Sequence, residues 1–157
     1  MKKLVFYICI FGVIFSIEGN PIKIGSANDN YNVCLTENNV SNDDMFTIED
    51  VVNGRHKEPD NEEKIKKNGC VIQCLFEKVG AMVGAEYNVE KIRDDFSKKT
   101  NAQPGEEIFI ALDNCIDKTK DLTEKCEKTF ALAECFMKAE KRIFPSTSKN
   151  NDENTKA

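Results

Sequence analysis

Cys70 and Cys74, in the stretch 64–80 (KIKKNGCVIQCLFEKVG), constrain the fold of this chain more than any other feature. Read as a helix, the stretch puts the two sulfurs one turn apart on one face. Ile72 and Phe76 form a second one-turn pair, rotated roughly 200° from the sulfurs at about 100° per residue. Side chains spaced i, i+4 lean the same way along a helix axis, so these two cysteines are poorly set to bond each other. Each is placed to bond elsewhere. One helix then staples two separate segments, while its other face looks into an apolar interior.

The oxidising compartment such bonds need is indicated at the N-terminus. Lys2 and Lys3 precede an apolar run over 4–17, and Glu18-Gly19 follows, the pattern of a secretory signal over 1–19 with cleavage expected after Gly19. The run falls short of the roughly 20 apolar residues of a membrane span. No later stretch is apolar enough either, so the sequence predicts a secreted, soluble protein with no membrane insertion. Cys9 leaves with the leader, and Cys34, Cys70, Cys74, Cys115, Cys126 and Cys135 remain. An even count in this setting reads as a disulfide framework. Taking Lys2, Lys3 and Glu18 from the 22 basic and 27 acidic residues leaves 20 against 26, a net charge of −6. An acidic chain without a basic cluster is a poor partner for nucleic acid or anionic membrane.

Along the chain the patterning is helical throughout. A polar lead-in over 20–29 is followed by a first helix over 30–39 carrying Tyr31, Cys34 and Leu35. Ser41 with Asp44 resembles a capping box opening a second helix through Val52, which Asn53-Gly54 stops. The charged loop 55–61, with His56 and Pro59, reads as solvated surface. The Cys70–Cys74 helix ends at Gly80 or Gly84. A fourth helix starts near Asn88, a good N-cap, with Val89, Ile92 and Phe96 on one face. NAQPG over 101–105 is a turn. The fifth helix, 106–118, holds Ile108, Phe109, Leu112, Cys115 and Ile116, and Glu106 and Glu107 suit its N-terminal dipole. Asp121 with Glu124 has the capping pattern for a last helix reaching Phe144, and Pro145 halts it. The tail 145–157 is polar and expected to be disordered. No β-alternation of any length appears. The prediction is all-α, about six helices, with the domain spanning 20–144.

Helical geometry only partly limits the disulfides. Cys126 and Cys135 would lie roughly 13 Å apart along one helix and half a turn out of phase, so they do not pair. A hairpin of the last two helices about Lys120 would bring Cys115 near Cys126, and geometry alone leaves several connectivities open. The order C-x3-C and C-x8-C, with forty residues from Cys74 to Cys115 and ten from Cys115 to Cys126, resembles the insect odorant-binding proteins. The gap from Cys34 to Cys70 is longer than is usual there, the added residues falling around Pro59. Within that family, KIGSANDNYNVCL, KNGCVIQCLFEKVGAMVGAEY and NAQPGE are similar to the ant pheromone-binding proteins linked to fire-ant colony queen number. The resemblance implies the bridges Cys34–Cys74, Cys70–Cys126 and Cys115–Cys135, and helices arranged around an internal apolar cavity.

It also implies where a ligand lies. The positions two beyond Cys70 and Cys74 are Ile72 and Phe76, those six and three before Cys115 are Phe109 and Leu112, and those three before and one after Cys135 are Leu132 and Phe136. Each pair is spaced i+3 or i+4 and so shares a helix face, as ordinary core residues also do. Phe130, Met137 and Phe144 make a separate heptad stripe, suited to core or a dimer seam. Tyr87, Ser97 or Thr129 is a candidate hydroxyl for a ligand head group. His56 is expected to be solvated, and Asn39-Val40-Ser41 is a glycosylation sequon.

The implied function is a secreted carrier of small hydrophobic odorants or pheromones, as in relatives implicated in ant queen recognition and social organisation. The implied partners are that hydrophobic ligand, a second copy in a homodimer and an olfactory receptor. A venom or defence protein on the same fold is the alternative. An enzyme is disfavoured: the mature cysteines are assigned to bridges, one histidine is available, and neither Gly-x-Ser-x-Gly nor His-Glu-x-x-His occurs. No metal or cofactor is expected.

Overall fold

Local capping chemistry sets most of the helix boundaries. The computed structural model describes residues 29–145; the leader, the lead-in over 20–28 and the tail from 146 onward lie outside them. α1 (Asp29–Glu37) carries Tyr31, Cys34 and Leu35 on its buried side. The Ser41/Asp44 pair is present, but it closes only a single 3-10 turn over Asn42–Asp44. The chain is extended at Met45 and at Thr47, and a second capping box, Thr47 with Asp50, opens the short α2 (Ile48–Val52). The expected continuous second helix is therefore split. Met45 and Phe46 are both buried, in separate apolar clusters, and extended backbone directs successive side chains to opposite sides.

α3 (Glu62–Lys78) is the central element, followed by a ribbon of β1 (Met82–Val83) and β2 (Glu86–Tyr87), then α4 (Val89–Thr100), α5 (Glu107–Thr119) and α6 (Lys125–Ile143). α3 stops at a Schellman motif: Gly80 takes φ +73°, its N–H bonds the Glu77 carbonyl, and the Ala81 N–H bonds the Phe76 carbonyl. The ribbon pairs Met82 with Tyr87 and Val83 with Glu86. Two-residue strands are too short to leave an alternation in the sequence. Asn88 caps α4 by accepting from the Lys91 N–H. α6 is capped by Glu124 itself, whose carboxylate accepts from the Glu127 N–H at 2.7 Å, rather than by Asp121.

Three bridges, Cys34–Cys74, Cys70–Cys126 and Cys115–Cys135, tie this frame together. α3 is bonded to α1 and to α6, and α5 to α6. At Cys70–Cys126 the Cα atoms are 4.4 Å apart, and Gly69 beside it has no room for a side chain against the Cys126 carbonyl.

α3 separates two apolar clusters. One face, with Val71, Cys74 and Leu75, packs with Tyr31, Cys34, Leu35, Val40 and Met45. The opposite face, with Ile72 and Phe76, joins the larger cluster built from α2, α4, α5 and α6. Two buried polar side chains brace the joints. The Asn68 side chain accepts from the Phe46 N–H and donates to the carbonyls of Asp44 and Lys64, fixing the entry to α2 on α3. Lys128, 1% exposed, donates to the carbonyls of Ala85 and Lys120 and lies 4.7 Å from the centre of the Tyr87 ring. It pins the ribbon to the α5–α6 turn.

Candidate functional site

The six residues singled out at fixed offsets from the cysteines come together in the larger cluster: Ile72 and Phe76 from α3, Phe109 and Leu112 from α5, Leu132 and Phe136 from α6. None is more than 4% exposed. Three helices thus direct aromatic and aliphatic side chains into one interior. α4 adds a residue outside that set: the Phe96 ring meets Phe109 edge-on at 5.5 Å and Phe136 at 5.7 Å. The Val89–Ile92–Phe96 stripe was the signal for it. Offsets counted from cysteines do not reach Phe96, because α4 carries no cysteine.

The heptad stripe divides. Phe130 and Met137 are buried in the same cluster, whereas Phe144 is 45% exposed at the end of α6. The candidate hydroxyls are already engaged. Tyr87 Oη donates to the Lys128 carbonyl at 2.9 Å and lies 3.0 Å from Thr119 Oγ1. Ser97 Oγ donates to the Ala102 carbonyl, and the carbonyls of Gly69, Lys125 and Cys126 lie within reach of Thr129 Oγ1. A hydroxyl has one proton to give, so none of the three is an uncommitted donor.

His56 is a correction to the sequence reading. It is 1% exposed rather than solvated, because the turn Arg55–Lys57 folds back onto α6. Its ring lies 6.1 Å from that of Phe46 and 5.8 Å from that of Phe130. Nδ1 lies 3.4 Å from the Asp50 carbonyl oxygen, and Nε2 lies 3.1 Å from Glu134 Oε1 without the alignment of a hydrogen bond. Charge-rich composition around Pro59 pointed to solvent. Glu134, nearly eighty residues further along the chain, is what draws the turn inward.

Two acids on α6 have opposite environments. Burial pushes the Glu134 carboxyl up, but hydrogen bonds from Lys138 and Lys57 and the charges beside it outweigh that, holding it down to about 2. Glu140 has burial alone, which pushes it up to about 7. Against the ordinary value of 4.5, Glu134 contributes stability that is present above pH 4.5 and lost as pH falls toward 2. Glu140 contributes stability that is present below pH 4.5 and lost as pH rises through 7. Chemical denaturation across pH should show Glu134→Gln flattening the acid limb and Glu140→Gln flattening the limb between pH 4.5 and 7. If both variants leave the profile unchanged, these environments are wrong.

Among the described residues, Cys34, Glu37 and Cys74 bring ligand-type atoms within 4.8 Å of one another. Both sulfurs are spent in one disulfide, and Glu37 pairs with Lys78 at 3.0 Å. The cluster offers no thiolate to a metal. None of the described helices is long and apolar enough to cross a membrane.

Residues 23–139 match the PBP/GOBP family. The chain is 44% identical over 155 residues to pheromone-binding protein Gp-9 of Solenopsis globularia littoralis, covering 97% of this chain and 99% of that one. It is 45% identical over 143 residues to the Gp-9 of Solenopsis nigella gensterblumi, covering 89% and 94%. The Gp-9 of Solenopsis daguerrei is 44% identical over the same shares.

Proposed function

The chain belongs to the PBP/GOBP family, and from that premise we propose that it is a secreted carrier of one small hydrophobic odorant or pheromone, held between α3, α4, α5 and α6. It is not an enzyme, in keeping with the family and with relatives named for binding. The observation that supports this ligand site is the convergence of Ile72, Phe76, Phe109, Leu112, Leu132 and Phe136 in one apolar cluster. Burying an apolar guest there removes its surface from water, worth about 25 cal/mol per Å² before the costs of ordering it. The bridges fit the task. A frame cross-linked from α1 to α6 tolerates an interior that gives up some packing to a guest, a loss that would weaken an unlinked domain of this size.

The test is competitive displacement of Nile red, a neutral apolar fluorophore, from the oxidised protein by eight- to twelve-carbon alcohols, aldehydes, amines and esters. Saturable probe uptake and displacement at micromolar concentrations is the expected result. Failure of every lipophile to displace the probe would refute the carrier reading.

A further inference from the structure

Polar groups bordering the apolar core are almost all committed to the protein itself. Among the described residues, two buried side-chain polar atoms lack a hydrogen-bond partner, His56 Nε2 and Glu140 Oε1. His56 Nε2 still has the Glu134 carboxylate at 3.1 Å. Glu140 Oε1 has no such neighbour among the described residues. Buried polar atoms are satisfied in nearly all native proteins, so an exception asks for a reason.

Its position suggests one. On α6, Leu132, Phe136 and Glu140 succeed one another at i+4, a single ridge of helix surface. Leu132 and Phe136 are two of the proposed ligand contacts, and both are fully buried. Met137, one turn before Glu140, belongs to the same cluster, and Ile143, one turn beyond Glu140 on the C-terminal side, packs against it. Glu140 therefore continues an apolar wall and ends it in a carboxyl. Burial without a counter-charge pushes this carboxyl up to about 7, as expected of an acid waiting for a partner.

We infer that Glu140 is the polar end of the ligand site, selecting lipophiles whose head group donates hydrogen bonds, an amine ahead of an alcohol. This rests on the carrier reading above. An ammonium supplies both the missing counter-charge and N–H donors, and charge-assisted hydrogen bonds are the strong ones. An alcohol supplies one neutral donor. An aldehyde or ester supplies none, and the hydroxyls of Tyr87, Ser97 and Thr129 that might have served a carbonyl are engaged within the protein.

The experiment compares octylamine, octanol and octanal as competitors for Nile red above pH 8, where the Glu140 carboxyl is ionised, on the oxidised full-length protein, alongside Glu140→Gln, whose fold is checked by circular dichroism. Octylamine should bind at least tenfold more tightly than octanal to the native protein. Glu140→Gln, which keeps the side-chain shape but removes the charge, should lose that tenfold preference. Equal affinity for the three compounds on the native protein, which needs no variant to fold, overturns the role of Glu140 and leaves the carrier reading standing. So does an amine preference that survives Glu140→Gln. Absence of any displacement brings down the carrier reading, and this inference with it.

Discussion

Gly69→Ala should destabilise this protein by at least about 2 kcal/mol, lowering its melting temperature by roughly 8 °C. On an exposed helix the same change would help, since alanine is favoured over glycine by about 1 kcal/mol. Here a Cβ would sit 2.1 Å from the Cys126 carbonyl oxygen and 2.8 Å from its carbon. Those are backbone atoms, and no rotamer change clears them. Nor can the helices part easily: the neighbouring Cys70 is bonded to Cys126 with Cα atoms 4.4 Å apart, and Thr129 Oγ1 lies 2.9 Å from the Gly69 carbonyl oxygen. Thermal and urea melts of the oxidised variant decide the matter. A melt within 2 °C of the native protein would mean that α3 and α6 do not approach this closely.

Gly69 also shows where sequence reasoning reaches and where it stops. The helix, the two cysteines on one face and the apolar pair on the other were legible, because period and spacing are local properties. The three pairings were not legible from geometry. Helix phase excluded Cys126–Cys135 but left the Cys115–Cys126 hairpin open, and only the family resemblance chose among the rest. A glycine inside a helix announces a packing reason without naming the neighbour; Cys126 is nearly sixty positions away. His56 failed for a related cause. Loop composition predicts solvent, and it cannot register that Glu134 lies across the fold to receive the turn. Phe96 was placed on the correct face of its helix, but the partners of that face, Phe109 and Phe136, belong to other elements. The Ser41 box was real yet ended after one turn, since the sequence gives no sign that Met45 and Phe46 must enter different clusters.

Removing the Cys70–Cys126 bridge should cost both stability and ligand binding, whereas removing Cys34–Cys74 should cost stability alone. Chain entropy does not separate the two. The separations are 56 and 40 residues, and the logarithmic dependence makes each bridge worth about 4 kcal/mol. Their surroundings do separate them. Cys34–Cys74 joins α1 to the face of α3 carrying Val71 and Leu75, inside the smaller cluster. Cys70–Cys126 holds α3 against α6, the two helices that bring Ile72 and Phe76 opposite Leu132 and Phe136. Paired alanine substitutions avoid stray thiols. Cys34→Ala with Cys74→Ala should lose about 4 kcal/mol in urea melts and still take up Nile red at 20 °C with affinity within about threefold of native, since RT ln 3 is a small fraction of that loss. Cys70→Ala with Cys126→Ala should lose a similar amount and weaken uptake by tenfold or more, because the freed helices lose the close approach at Gly69 and with it the spacing of the walls. Equal loss of uptake in both variants would place the ligand outside the larger cluster, or make binding depend only on global stability.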